Sequence, residues 1–380
     1  MVKIHYVGNY VHGENDRNLF GFPSAIAKMS YIISALKRAQ YKVIVFSTGE
    51  SQNRNFCYYP RKKVLIDDQE EIVYLNVFST PFYGFRVVSR IWTWLQMLYY
   101  FLFNVKSNDI LLVYHSPLYK WPLKIAVFLK KINLYIQVDE IYNATLYQSP
   151  KKINKEINSL NIAKGYIFVN DLMNQLFKFK NKPNIICYGD YGNKNTSQKT
   201  TKDNIIRLVY AGIIGNKDTD VFIAINAMLY LPEPYQLDIA GYGHKKDIRY
   251  LNDKINEINS FLGRQAIVFH GLLNGDTYFS LLSDCHIGLC TRILPDSLSN
   301  YTFPSKVLVY LGHDLIPVCS PLTCIKKSKI ADSIIYCESI EPNAIAEAIL
   351  SIDITKKRNN YIIKDLDQQF IIDLQILFTN

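Results

Sequence analysis

The stretch Asp296-Ser-Leu-Ser-Asn-Tyr-Thr-Phe-Pro-Ser-Lys-Val-Leu-Val-Tyr-Leu-Gly-His-Asp-Leu-Ile-Pro-Val-Cys-Ser320 passes from a polar loop into an apolar run, a Gly-His-Asp stop and a second apolar run. Val307, Leu308, Tyr310 and Leu311 recur at helical spacing, and Leu315 to Cys319 reads as a short buried strand. Loop, helix, turn and strand in that order form one link of an α/β chain. Pro304 suits the first turn of the helix, where a missing N–H costs nothing, and Ser305 and Lys306 then stand at its positive end, which attracts anions. Spacing alone leaves two readings of Lys306: a phosphate contact, or a solvated lysine on an ordinary connection.

The same rhythm extends upstream. Ile205 to Ala211 reads as a strand, Gly212-Ile-Ile-Gly215-Asn-Lys217 as a loop and Asp220 to Leu231 as a helix. Tyr235 to Ala240 is a strand ending in Gly241-Tyr242-Gly243, Ile267 to His270 leads into Gly271-Leu272-Leu273, and His286 to Cys290 ends in Thr291-Arg292. The first half has its own series. Strands at Lys3 to Val7, Val43 to Ser47, Ile72 to Val77, Asp109 to Tyr114, Leu134 to Val138 and Gly165 to Val169 alternate with helices at Ser24 to Ala39, Pro117 to Lys131, Asn154 to Ala163 and Asp171 to Phe179. This βαβ order predicts doubly wound sheets, whose ligands approach the carboxyl ends of the strands. Gly8 and Asn9, His115, and the Asp139-Glu140 pair fall at such ends. His115 and the acidic pair read either as helix caps or as acid–base groups. Asn, Lys, Thr, Ser and Gly dominate near 190–203, which marks a linker.

Length and composition narrow the classes. A chain of 380 residues accommodates two domains with separate cores. The net charge of +10 calls for an anionic partner: nucleic acid, an anionic membrane surface or a phosphorylated small molecule. No zinc-finger spacing or RNP-like order supports nucleic acid, which ranks last. Seven cysteines without a Cys-x-x-Cys pair indicate neither a zinc site nor a disulfide framework. Without a metal motif such as Asp-x-Asp at a strand end, no cofactor or metal is expected. Met1 leads directly into a strand without a signal peptide, so the expected location is the cytoplasm. In the segment from Arg86 to Lys106 the middle run, Ile91 to Phe103, is apolar on almost every face, is flanked by Arg86, Arg90 and Lys106, and at roughly 20 Å is too short to span a bilayer. It reads as a helix buried between the sheet and its neighbours, ahead of a membrane-surface or lipid-acceptor helix.

Phe303-Pro304-Ser305-Lys306-Val307-Leu308, followed by Tyr310-Leu311-Gly312 and Ile316-Pro317-Val318, resembles the donor-holding segment of GT-B glycosyltransferases of bacterial surface polysaccharide (capsule or O-antigen) synthesis. The order of segments over 205–350, and more loosely over 1–180, resembles the same family. The chain departs from the family pattern at Val309, where relatives carry a glutamate, at Tyr301, where a second one would fall, and at Ile213, often a lysine or arginine.

The resemblance implies an α/β fold with two Rossmann-like doubly wound domains facing a cleft and a C-terminal helix crossing back to the first domain. Residues 1–190 with 356–380 would bind acceptor, and 203–355 would bind donor. It implies a nucleotide-sugar donor held by Gly212, Gly215, Lys217, Gly241, Tyr242, Gly243, Leu273, Asn300, Tyr301, Ser305 and Lys306. A glycan or lipid-linked glycan acceptor would lie near Gly8 and Asn9, with His115, Asp139 and Glu140 as the catalytic candidates. The nucleotide sugar is a co-substrate, and peripheral attachment to the inner face of the cell membrane is the accompanying expectation. A nucleotide-sugar 2-epimerase of the same fold and a non-catalytic scaffold in a glycan-assembly complex remain as alternatives.

Overall fold

Residues 2–13, 19–51, 55–177, 181–188, 204–215, 220–273, 275–355 and 361–379 are described by a computed structural model. The chain divides into two units, one comprising Met1–Tyr188, Asn300–Thr302 and Asp367–Asn380, the other Gly189–Ser299 and Phe303–Leu366. The linker read at 190–203 lies outside the described residues.

Eight strands form the first unit's sheet: β1 (Lys3–Gly8), β2 (Lys42–Ser47), β3 (Lys62–Leu65), β4 (Glu70–Tyr74), β5 (Ile110–Tyr114), β6 (Asn133–Val138), β7 (Gly165–Phe168) and β8 (Asn184–Ile186). Their order is β8-β7-β6-β5-β1-β2-β4-β3, parallel except where β3 runs against β4. The central strands are nearly continuous runs of Ile, Leu, Val and Tyr because helices cover both faces of a parallel sheet. The crossovers are α1 (Pro23–Arg38), α2 (Tyr83–Phe103), α3 (Lys120–Leu129) and α4 (Pro150–Ser159). From β1 the chain steps outward through β2 to β4, then resumes on the other side of β1 with β5. Strand order therefore reverses between β1 and β5, the place where such sheets receive ligands.

In the second unit the strands are β9 (Ile206–Ile214), β10 (Tyr235–Gly243), β11 (Ile267–Gly271), β12 (Ile287–Cys290), β13 (Ile316–Cys319) and β14 (Ile335–Tyr336). They are all parallel, in the order β11-β10-β9-β12-β13-β14, so the reversal lies between β9 and β12. Helices α5 (Asp220–Ala227), α6 (Lys245–Leu262), α7 (Gly275–Asp284), α8 (Lys306–Gly312) and α9 (Pro342–Leu350) make the connections. Cys285, Cys290 and Cys319 are buried and take part in no disulfide.

The last helix, α10 (Tyr361–Thr379), joins the first unit from Asp367 onward. Asp367 is buried and accepts hydrogen bonds from Tyr31 Oη at 2.9 Å and Arg38 Nη2 at 2.8 Å, both on α1. Phe370 stacks on Tyr31 with ring centroids 5.7 Å apart, and Phe378 meets Tyr135 edge to face at 4.9 Å. The helix thus completes the layer over α1 and β6.

Three expectations need correction. Gly212 to Ile214 and Gly241 to Gly243, read as strand-end loops, are strand residues paired in register, Gly212 with Gly241 and Ile214 with Gly243. A Cβ on Gly241 would collide with the Gly212 carbonyl, and one on Gly243 with that of Ile214, so these glycines serve the close approach of two backbones. The helix after Pro304 starts only at Lys306, with Ser305 as its N-cap residue. Most consequential is α2, which is not a core helix. It buries Met97, Tyr100 and Phe101 on one stripe, while Phe85, Val87, Val88, Ile91, Trp92, Leu95, Tyr99 and Phe103 are exposed.

Replacing Asp367 by alanine is expected to destabilise the protein by about 1.5–3 kcal/mol, the usual range for hydrogen bonds to a charged group. Urea unfolding followed by tryptophan fluorescence measures this, and a change below about 0.5 kcal/mol, the scale of an ordinary surface substitution, would count against the anchor.

Candidate functional site

In the second unit the site grows from the packing of α8. Gly288 on β12 lies directly beneath the Tyr310 ring, where any Cβ would overlap it. Held there, the Tyr310 hydroxyl accepts the Ala211 N–H at 3.1 Å and donates to the Leu289 carbonyl at 3.3 Å. One helix thereby bridges β9 and β12, the two strands that flank the reversal. Lys306 stands one turn before Tyr310 on the same face of α8.

The Lys306 ammonium consequently comes to the carboxyl end of β9. It sits 4.1 Å from the Tyr210 ring centroid and 3.9 Å from Asp220 Oδ2, with its side chain only 17% exposed. Burial works against the charged form, but Tyr210, Cys290 and Asp220 outweigh it, and the lysine pKa lies above its ordinary value. Asp220 opens α5 and is tied to β12 through its carbonyl, which accepts from Thr291 Oγ1 at 2.5 Å. A Cβ on Gly212 would stand 3.3 Å from the ammonium nitrogen, so the glycine leaves the lysine's approach clear.

The other donor-side candidates divide. Gly215 follows β9, Tyr242 lies on β10 beside Gly241 and Gly243, and Leu273 comes just after β11, so all of these stand at the carboxyl edge of the same sheet. The Ser305 side chain caps nothing in α8. Lys217 lies outside the described residues. Asn300 and Tyr301 cluster with the first unit, where the Tyr301 carbonyl accepts the Ile141 N–H at 3.1 Å.

In the first unit, His115 follows β5 and is buried, its Nε2 2.8 Å from Glu156 Oε1 on α4. Glu156 also accepts the N–H groups of Tyr142 (2.9 Å) and Asn143 (2.8 Å) and the Asn143 side-chain amide. Burial alone would raise its pKa, but His115 and the Asn143 donors outweigh that and hold the carboxyl below its ordinary value. An ionised Glu156 can only accept, so His115 must donate from Nε2. Its Nδ1 has no hydrogen-bond partner among the described residues.

Asp139 and Glu140 follow β6, next to β5 in the sheet. Asp139 Oδ1 accepts Gln137 Nε2 at 2.8 Å, and Gln137 Oε1 accepts the buried Tyr6 hydroxyl. Burial first, then the Asp139 charge, keeps the Tyr114 phenol protonated well past its usual range. Asp139 is thus built into a polar network, while His115 retains a free nitrogen. Gly8 ends β1, across the reversal from β5, and Asn9 follows it. Among the described residues the buried Asn9 Oδ1 atom has no hydrogen-bond partner, which is unusual in a native fold. Among the same residues no group of three His, Cys, Asp or Glu side chains is placed to hold a metal ion.

Two residues of the candidate site escaped the sequence reading. Glu156 lies among Ile153 and Ile157 on the apolar face of α4, and a carboxylate at that spacing is the signal that could have found it. Asp220 was read only as the start of a helix.

No protein-family model matches the chain, and no curated protein matches it. Its structure, however, is similar to trehalose 6-phosphate synthase from Burkholderia multivorans, with a TM-score of 0.66 at 10% identity, covering 99% of this chain and 97% of that one. Sucrose-phosphate synthase from Thermosynechococcus elongatus gives 0.66 at 13% identity over 100% and 95% of the two chains. HepE from Anabaena, solved in complex with UDP and glucose, gives 0.62 at 13% identity over 99% and 100%. At these identities the likeness is one of fold: the chain has the α/β architecture of the GT-B glycosyltransferases across its whole length.

The depressed Glu156 pKa implies a pH signature. Its contribution is present above the unfolded-state pKa, about 4.3 for a glutamate, and is lost as pH falls through the lower folded value. Glu156→Gln should therefore be less stable than the parent at neutral pH, and the gap should narrow on acidification below about pH 4. Denaturant midpoints from pH 3 to 7 measure it, and a gap that is constant with pH would contradict the assignment.

Proposed function

We propose that the chain is a glycosyltransferase. It moves a sugar from a nucleotide-sugar donor held by the second unit to a lipid-linked glycan acceptor held by the first, in the synthesis of a bacterial surface polysaccharide. The observation that carries this reading is the Lys306 ammonium, fixed beside Gly212 at the strand reversal. A nucleotide-sugar donor leaves behind a diphosphate whose negative charge grows as the glycosidic bond breaks. A cation already held in place stabilises that charge without reorganisation. HepE has been solved with UDP, which supports a nucleotide diphosphate as the ligand class for this fold.

On the acceptor side, a hydroxyl oxygen bonds to the anomeric carbon while its proton leaves. His115 Nδ1 is the base, oriented by Glu156 through Nε2. Asn9 Oδ1 accepts from an acceptor hydroxyl. The positive charge for the leaving group comes from Lys306, so no metal is required, and turnover should survive chelation.

An anionic membrane surface completes the proposal, with the chain peripheral on the inner face of the cell membrane. Helices α2 and α3 pack side by side and leave Trp92, Tyr99, Phe103 (72%), Trp121, Ile125 and Phe128 (88%) exposed. Between them these two helices carry Arg86, Arg90, Lys120 and Lys124 and no Asp or Glu. An apolar face edged by basic charge alone suits a bilayer of anionic lipids. No described helix is long and apolar enough to cross a membrane.

Lys306→Ala is expected to weaken nucleoside-diphosphate binding about 10- to 100-fold, equivalent to the roughly 1.5–3 kcal/mol of a charge-assisted contact. Calorimetric titration of the folded variant decides this, and parental affinity would remove the donor-site assignment. Turnover with a panel of radiolabelled nucleotide sugars, with and without EDTA, then tests transfer itself. For the membrane face, each basic residue contributes ~1 kcal/mol, so Arg90→Glu with Lys124→Glu should lower affinity for anionic vesicles by at least about 25-fold. Undiminished vesicle binding would place the contact elsewhere.

A further inference from the structure

The amino-terminal edge of the first unit's sheet, opposite the strand ends that carry His115 and Asn9, holds a cavity of about 240 Å³. Its charged lining is Lys3, Arg61, Lys63, Lys106, Glu71 and Asp109. Both carboxylates are already engaged. Glu71 pairs with Lys63 at 2.8 Å, and Asp109 Oδ2 accepts the Lys106 backbone N–H at 2.9 Å and lies 3.2 Å from His5 Nε2. Lys3, Arg61 and the Lys106 ammonium have no carboxylate partner among the described residues.

Behind these charges lies a rigid wall. His5 is buried, with Nδ1 2.8 Å from the Tyr100 hydroxyl, and Tyr100 stacks on Phe46 at 4.0 Å between centroids. Burial keeps the imidazole neutral, so the tautomer that fits is Nε2–H donating to Asp109 and Tyr100 donating to Nδ1. The polar groups of the wall thus satisfy one another and leave the front to the three unpaired cations.

We infer that this cavity is a second binding site, which takes a phosphomonoester group. The lining carries an excess of two positive charges, matching a phosphomonoester dianion. Arg61 supplies the planar fork that engages two phosphate oxygens at once, and Lys3 and Lys106 act as point charges beside it. The volume equals about eight waters at ~30 Å³ each, room for a phosphate with a substituent of a few carbons. Tyr100, Asn104 and Lys106 stand at the carboxyl end of α2, the helix whose exposed face is read above as membrane-directed. The phosphate can therefore belong to a soluble ester or to a lipid headgroup. Only the second source rests on that membrane reading.

The test has two arms, each comparing the parent protein with Arg61→Gln/Lys106→Gln. Calorimetry with glycerol 3-phosphate addresses the soluble source. Flotation with vesicles of phosphatidylcholine carrying either phosphatidate, a monoester, or phosphatidylglycerol, a diester, at equal surface charge addresses the lipid source. The expected result is binding in one arm that falls at least tenfold in the double variant, with nucleoside-diphosphate affinity unchanged. A soluble ligand appears in calorimetry, and a headgroup appears as a preference for phosphatidate that calorimetry lacks. Vesicle binding undiminished by Arg90→Glu/Lys124→Glu, with glycerol 3-phosphate binding intact, would fail the membrane reading and leave the site standing. No binding of glycerol 3-phosphate together with no phosphatidate preference, or binding that survives the double variant, would overturn the proposal.

Discussion

Everything at the second unit's strand reversal depends on one aromatic ring lying flat against a strand that has no side chain beneath it. Gly288 removes the obstacle, Tyr310 occupies the space, and its hydroxyl takes a donor from β9 and an acceptor from β12. A seven-residue helix is too short to hold its own direction in water. Tertiary packing sets that direction here, and through it the position of Lys306. The lysine's charge is then kept by the Tyr210 face and Asp220, so a cation is held at the carboxyl end of β9.

The first unit solves a related problem with a carboxylate. Glu156 gathers two backbone N–H groups and an amide, which fixes its charge, and that charge fixes the tautomer of His115. The imidazole is oriented before any ligand arrives. Both units therefore place these groups, Lys306 and His115, at the carboxyl edge of the sheet's parallel strands, next to the reversal, and both hold them by contacts to neighbouring strands or helices rather than by loops alone.

The alternation of strands and helices was legible because hydrophobic period and turn residues both report on the local chain. Lys306 was legible as a charged residue opening a helix after a strand. Other features depend on neighbours that periodicity cannot see. An apolar helix such as α2 looks the same whether its second face meets protein or stays open, so its exposed rings were missed. Gly241-Tyr242-Gly243 looked like a turn because glycine usually signals one, whereas here it permits two backbones to approach. Glu156 was hidden in a lysine-rich helix whose other charges are solvated. Its partner His115 lies forty-one residues earlier in the chain.

The route of α10 bears on the order in which the molecule can be assembled. Tyr31 and Arg38 belong to α1, yet the carboxylate that satisfies them, Asp367, follows 336 and 329 residues later. A ribosome releases the chain from the amino terminus, so the contacts of α10 with α1 form only after the strands of the second unit have emerged. The second unit has every one of its strands available before then. Although its sequence comes first, the first unit is the last to be closed.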